Sequence, residues 1–497
     1  MTRAKRKQIC LVLATGLLAS FAQAAPSILA PPATPGSAAL PYVKSQAPVI
    51  VLRHVRIIDG TGAPAQEDRT VILSEGQIAA VGGADLAAPD NAEIHDLGGH
   101  SVLPGLVGMH DHMFYVASPN ADAHGHSEPP QVVPQMTFSA PRLYLAAGVT
   151  TLRTTGSVET YADLNLKAMI DAGEFPGPHL DVTGPYLEGP RSSFIQMRRL
   201  KDVTDARRMV EFWADEGVTS FKAYTNITRA QLKAAIDAAH KRGLKVTGHL
   251  CSVTYPEAAA LGIDNLEHGF FFNTQNDPGK APDTCSPGGG MPTLLGMDPA
   301  GPEAASLIKL LVERKVAITS TLPVFEQFVP GHAPLDPNAM TVLTPQAREA
   351  YLYSRNQVSG APREFLDTIT KAFKTTMALE RRFALAGGLL TAGPDPTGNG
   401  GIIPGFGNHR AMELLVEAGF SPVEAIKVGT LNGAIYLGLA DHIGSIAPGK
   451  HADLLVVKGD PSKTIADIRN VAIVFKDGIA YDAGKLLESV RGRYGQY

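Results

Sequence analysis

Six side chains carry the chemistry of this chain: His110, His112, Lys222, His249, His268 and Asp395. Imidazole nitrogens and a carboxylate are the donors that a divalent metal ion takes, and here they come from five separate segments. His110 and His112 lie two residues apart. Side chains alternate along an extended backbone, so both imidazoles point to one side and can hold one ion. A lone histidine near a strand end is more often a hydrogen-bonded core or surface group than a ligand. Recurrence at the ends of five strands is not what coincidence gives. Lys222 is the odd member, because an ammonium repels a metal cation and is costly to bury unpaired.

The segments that must position these residues read as short β-strands alternating with periodic helices. Leu106 to Met109, Val149 to Arg153, Leu180 to Thr183, Ser220 to Ala223, Lys245 to Gly248, Asn265 to Glu267, Ala317 to Thr321 and Leu389 to Ala392 make eight. Alternation of this kind predicts a parallel sheet with crossover helices. Eight units over about 330 residues fit an α/β fold of the (β/α)₈ TIM-barrel type better than an open doubly wound sheet. No Gly-x-Gly-x-x-Gly follows an early strand, which weakens a nucleotide-binding alternative. Helix starts are legible too. Thr228-Arg229-Ala230-Gln231 is a capping box for a helix ending near Gly243, and Ser421-Pro422-Val423-Glu424 opens a later one. Three stretches exceed ordinary loop lengths: Phe272 to Pro302, Pro323 to Arg363 and Pro396 to Asn408. Each follows a barrel strand at the end where active sites form, so each is a candidate lid or substrate wall.

Both ends of the chain have a different texture. Val49 to Ile58, Arg69 to Leu73, Gln77 to Val81 and Ile94 to Leu97 are β-rich runs separated by turns, and Asp453 to Val457 and Val471 to Phe475 resemble them. Residues 48–103 and 441–497 are therefore expected to form one small β-sandwich domain beside a catalytic domain at 104–440. Residues 25–47, rich in Pro, Ala and Ser, read as a leader linker. Ahead of them, Arg3, Lys5, Arg6 and Lys7 precede an apolar run to Ala22, too short for the ~20 residues that cross a bilayer. Residues 1–24 are thus predicted to be a signal peptide cleaved near Ala24, sending the protein to the periplasm or outside the cell with no stable membrane anchor.

Losing the four basic residues of that segment takes the formal net charge from −4 to −8, which argues against nucleic acid or anionic membrane as partner. Cys251 and Cys285 would remain in an oxidising compartment, as a disulfide or as two buried thiols. The 44% apolar share is ample for a large core.

Two runs carry a family resemblance. Pro104-Gly105-Leu106-Val107-Gly108-Met109-His110-Asp111-His112 resembles the first-strand motif of the amidohydrolase superfamily, and Gly444-Ser445-Ile446-Ala447-Pro448-Gly449-Lys450-His451-Ala452-Asp453-Leu454 resembles its return into the β domain. Within the superfamily the chain is similar to the imidazolonepropionase-like and prolidase-like branch, and the Phe221-Lys222-Ala223-Tyr224 string matches its binuclear, lysine-bridged version. The resemblance implies two divalent ions, zinc by preference, with Lys222 N-carboxylated and bridging them. His110, His112 and Asp395 would hold one ion, and His249 and His268 the other.

The implied reaction is amide hydrolysis of dipeptides or N-acyl amino acids by a metal-activated hydroxide, with Asp395 as acid and base. Tyr224 is a candidate oxyanion donor, and Arg153 a candidate partner for a free carboxylate on a small-molecule substrate. A cyclic-amide or lactone hydrolase is the alternative, and a non-catalytic binding barrel the third reading; a homo-oligomer is left open. His124 and His126 read as a solvated loop. His179, His240, His409, His442 and His451 are expected to be exposed, and Trp213 to pack on the barrel exterior.

Overall fold

The computed structural model describes residues 27–116, 132–190 and 194–495. The expected signal peptide and the His124/His126 pair lie outside the described residues. Eight short parallel strands follow one another in chain order: β1 (Leu106–Gly108), β2 (Val149–Arg153), β3 (His179–Asp181), β4 (Ser220–Ala223), β5 (Lys245–Gly248), β6 (Asn265–Glu267), β7 (Ala317–Ser320) and β8 (Leu390–Ala392). Their limits agree with the sequence reading to within two residues.

Ladders join β1 through β3 and β4 through β8, and a parallel bridge between Thr183 and Ser220 links the two sets. The Met109 amide donates to the Ala392 carbonyl at 2.9 Å, and the Asp395 amide to the His110 carbonyl at 3.0 Å, which brings β8 back to β1. Every strand therefore has a neighbour on both sides. All eight are buried along nearly their whole length, which is why they read as apolar runs rather than as alternating ones.

The capping boxes at Thr228 and Ser421 form as expected, opening the helices Arg229–Lys241 and Pro422–Val428. The stretch 323–363, expected to be a long loop, is mostly helical. It contains Leu322–Glu326, Pro337–Val342 and Pro345–Ser359, and Asp336 and Thr344 cap the last two. A proline in the first turn of each hid these helices, because it reads as a loop signal until its position is known. Trp213, on the helix Val203–Glu216, packs against the main core as expected.

The chain ends form one continuous mixed sheet of nine strands, not two separately hydrogen-bonded sheets of a sandwich. Its strand Leu454–Lys458 pairs with both His100–Pro104 and Val471–Lys476 and is buried on both faces. Leu454 and Val456 enter the sheet's own core, while Leu455 and Val457 join the core beneath the eight-strand ring. The expected linker also ends differently. Residues Val43–Ser45 form a strand paired with Ile479–Asp482, and the Gly36 amide donates to the Gly173 carbonyl at 2.8 Å. A Pro-rich segment already extended along the surface needs only an open sheet edge to add a strand, and that edge is not visible in local sequence. No helix among the described residues is long and apolar enough to cross a membrane.

Candidate metal centre

Five of the eight strands deliver the six side chains to one cavity of about 270 Å³ at their carboxyl ends. His110 and His112 follow β1 and turn Nε2 inward, because each Nδ1 is held from behind. His110 Nδ1 lies 2.7 Å from Glu267 Oε2, and His112 Nδ1 lies 2.8 Å from the Thr154 carbonyl oxygen. Asp395 faces both, with Oδ1 3.3 Å from His112 Nε2 and Oδ2 3.7 Å from His110 Nε2. Lys222 brings Nζ to 3.2 Å from His110 Nε2. The His268 ring centroid lies 4.6 Å from that of His110 and 4.5 Å from that of His249. His268 Nδ1 is 2.9 Å from Thr321 Oγ1, while its buried Nε2 makes no hydrogen bond.

The backbone is bent to make this set. His268 and Asp395 have φ of +68° and +51°, a region that costs a non-glycine residue of order 1–3 kcal/mol. Each sits just beyond the end of its strand, where the turn re-aims the side chain across the ring. Gly393 permits the approach of β8 to β1, since a Cβ there would stand 2.2 Å from the His110 amide nitrogen.

Electrostatics favour ligation. Burial, then the charge of Lys222, holds His110 far below the usual imidazole range and His249 at about 3. Burial also lowers His112, and burial with the neighbouring imidazoles and Lys222 lowers His268. The imidazoles are thus neutral near pH 7, with lone pairs available to a metal. Burial pushes the Asp395 carboxyl up, but His110, His112 and Lys222 outweigh it and keep the group below the usual carboxylate range. Burial pulls Lys222 down to about 8, against the opposing pull of Glu267 and Asp395. The donor set, the inward Nε2 atoms and the unpartnered His268 Nε2 all fit divalent metal ions.

Tyr224 lines the cavity as expected, its ring 4.8 Å from His249, and burial raises its phenol so that the hydroxyl keeps its proton. Arg153 does not line it. Its guanidinium is fully buried under the ligand layer, donating from Nη2 to Glu267 Oε1 at 2.7 Å and from Nε to the Met109 carbonyl at 3.0 Å. The carboxylate it was expected to meet in a substrate is supplied by Glu267, because Arg153 points inward at the last residue of β2 rather than from the loop beyond.

Glu267 is the residue that sequence reading missed. Fully buried, it orients His110, pairs with Arg153, and accepts from Asn265 Nδ2 at 3.0 Å and from the Thr247 hydroxyl. Its place in Glu267-His268-Gly269 was the available signal. Tyr186, whose ring meets that of Tyr224 at 5.0 Å, was also missed. His179 and His409, expected to be exposed, are buried.

All three long stretches reach the cavity, through Phe272, through Val324 and Phe325, and through Thr397 and Gly398. The first is a fixed wall. A disulfide joins Cys251 to Cys285, with Cα atoms 4.8 Å apart, and Asp277 accepts from the Gly290 and Thr293 amides at 2.8 and 3.0 Å. Phe272 stacks on His249 at 3.9 Å, and Phe271 on Phe325 at 3.6 Å.

A mixed α/β fold that gathers metal-type donors at the carboxyl ends of parallel strands defines a class of hydrolase. The chain belongs to the amidohydrolase family, whose pattern matches residues 101–286 and 395–480. Among solved structures it is similar to a putative prolidase from Bifidobacterium longum, at 24% identity and a TM-score of 0.63, over 90% of this chain and 100% of that one. A Xaa-Pro dipeptidase with bound methionine is similar at 20% identity and a TM-score of 0.65, over 87% of this chain and 100% of the other. Ochratoxinase of A. niger is similar at 17% and 0.63, over 90% and 100%. At these identities the likeness is one of fold. Among curated proteins, an adenine deaminase from Moorella thermoacetica is 38% identical over 79 residues, 16% of this chain and only 12% of that protein's length.

Proposed function

We propose that the protein is a secreted, binuclear metal hydrolase on a (β/α)₈ barrel that cleaves the amide bond of dipeptides or N-acyl amino acids bearing apolar side chains. The observation that carries this reading is the cavity itself. The ligand cluster forms its base, while Phe114, Phe194, Met197, Phe272, Val324 and Phe325 form apolar walls. Such walls take up an aromatic or aliphatic group next to the scissile bond and keep water from it. The putative prolidase, the Xaa-Pro dipeptidase and the ochratoxinase among the structural neighbours support the same substrate class.

His110, His112 and Asp395 would hold one ion, and His249 and His268 the other, with zinc suited to imidazole and carboxylate donors. Bound there, such ions lower the pKa of water and polarise a carbonyl. Lys222 would bridge the two as a carbamate. The ammonium would first lose a proton, the neutral amine would add to the carbon of carbon dioxide, and loss of a second proton from nitrogen would leave the carbamate anion. Its contact with the His110 imidazole, with no carboxylate hydrogen bond among the described residues, supports that chemistry. Asp395, kept ionised by its neighbours, accepts the proton from water and passes it to the leaving nitrogen. The Tyr224 hydroxyl, kept protonated, donates to the developing oxyanion. The disulfide is consistent with the secretory route read from residues 1–24.

A cyclic-amide or lactone hydrolase is the second reading, since the same cavity and donors could take a ring. The test is a panel of dipeptides, N-acyl amino acids, cyclic amides and lactones presented to zinc-loaded mature protein. Release of free amino acids, fastest with Phe, Leu or Met side chains, is expected. Turnover of rings alone would move the assignment to the second reading, and a preference for charged side chains would refute the apolar pocket.

A further inference from the structure

A second group of metal-type donors lies at the opposite end of the strands, where the ring meets the terminal sheet. His179 opens β3, His451 and Asp453 immediately precede the strand Leu454–Lys458, and Asp477 lies in the turn between Val471–Lys476 and Ile479–Asp482. His179 is 0% exposed, Asp453 and Asp477 are buried, and His451 is half-buried. His179 Nε2 lies 3.2 Å from Asp477 Oδ1 and 3.6 Å from Asp453 Oδ2, and His451 Nδ1 lies 3.3 Å from the same Asp477 oxygen. The donor atoms of His179, His451 and Asp477 all fall within 4.8 Å of one another. Yet among the described residues neither ring nitrogen of His179 has a hydrogen-bond partner, and neither does Asp453 Oδ2.

His179 Nε2 stands 3.2 Å from Asp477 Oδ1 without the alignment of a hydrogen bond, so the two face each other as donors to a common point. His451 Nδ1 is hydrogen-bonded to Asp477 Oδ1 at 3.3 Å, so the unpartnered donors are the His179 nitrogens and Asp453 Oδ2, lone pairs brought close as a metal ion requires. In a tetrahedral zinc site with ligand distances of ~2.0–2.1 Å, neighbouring donors stand ~3.3–3.4 Å apart, close to the 3.2 and 3.3 Å that separate Asp477 Oδ1 from His179 and His451 and the 3.6 Å between His179 and Asp453, and compatible with the 4.8 Å within which the first three lie. Lys476 does not compete for the inner position, because its ammonium binds the outer oxygen, Asp477 Oδ2, at 2.9 Å. Two imidazoles exclude calcium and magnesium, which take oxygen ligands, and suit zinc.

We propose that His179, His451, Asp453 and Asp477 form a structural zinc site that ties the terminal sheet to the base of the strand ring. Two of its ligands come with the returning C-terminal strand and one from β3, so the ion joins segments almost 300 residues apart in sequence. No open position facing a substrate cavity is needed, and the role is to hold rather than to react.

The proposal is tested on full-length mature protein equilibrated with zinc, dialysed and analysed for metal per chain. A variant cleared at the upper centre, His110→Ala with His112→Ala and Asp395→Asn, separates the two sites. It is expected to retain one zinc per chain and to lose it when His451→Ala is added. His451→Ala alone is expected to bind one equivalent fewer than the parent, to keep its hydrolytic rate, and to lose the fall in Tm that a chelator causes in the cleared variant. Cobalt loaded into the cleared variant is expected to show tetrahedral visible absorption. A cleared variant that is folded by circular dichroism but binds no zinc overturns the proposal, as does zinc content unchanged by His451→Ala and His179→Gln. Failure of the upper-centre reading looks different, since the parent and the cleared variant would then hold equal zinc.

Discussion

Histidines and carboxylates gather at both ends of the same eight strands, but their surroundings differ. At the carboxyl ends, His110 and His112 are each fixed through Nδ1 and present Nε2 to a cavity with aromatic walls. At the amino ends, His179 is enclosed between the ring and the terminal sheet, and no hydrogen bond from the described residues fixes either nitrogen. Similar donors can thus serve two ends. An outward-facing group with a room for substrate supports chemistry, whereas a largely buried group joining distant strands supports the fold. The contrast predicts that upper substitutions cost rate and lower ones cost stability.

The largest effects belong to the upper centre. Asp395→Ala, His110→Ala and Lys222→Ala are each expected to lower kcat/KM by roughly 10³-fold or more while the Tm changes little. For Lys222→Ala, short carboxylic acids should restore part of the rate by replacing the carbamate. Full activity with unchanged metal content in Lys222→Ala would remove the bridging role.

The layer beneath is expected to affect both properties. Glu267→Gln should weaken metal binding by about 10–100-fold, because His110 loses the anion that orients it. Arg153→Met should destabilise the protein by about 3–5 kcal/mol by leaving Glu267 charged and unpaired. Denaturant unfolding measures the second effect. A rise in KM confined to substrates with free carboxylates, with no loss of stability, would instead restore Arg153 as a substrate ligand.

Opening the Cys251–Cys285 disulfide by a double serine substitution should cost about 3–4 kcal/mol, given a sequence separation of 34 residues. Because that loop carries Phe272, KM for apolar substrates should rise with it. If only stability falls, the wall is held by Asp277 rather than by the disulfide.

A pH-dependent effect concerns Glu380, a fully buried carboxyl beside Gly269 that burial pushes up to about 8. The folded protein then keeps a proton that the unfolded chain releases above its ordinary value of 4.5. Its contribution is most favourable below about 4.5 and declines as pH rises toward about 8. Glu380→Gln should flatten the Tm profile across that range without altering the rate.

The six upper residues were legible in sequence because a parallel strand buried on both faces ends abruptly, and a polar residue at that end has one place to go. Spacing alone aligned His110 with His112, and the return motif through Asp453 marked the C-terminal strand as part of a separate sheet. Arg153 shows the limit. It stands at a strand end like the ligands, but its long side chain folds inward onto Glu267, a choice made by a partner 114 residues away. The same holds for His179, which looked like a surface residue until the C-terminal strands closed over it, and for the Cys251–Cys285 disulfide. Local pattern and residue type determined the strands and the donors they carry. Which donors meet, what lies behind each imidazole and what seals each end depend on contacts between distant segments, so only the tertiary structure decided them.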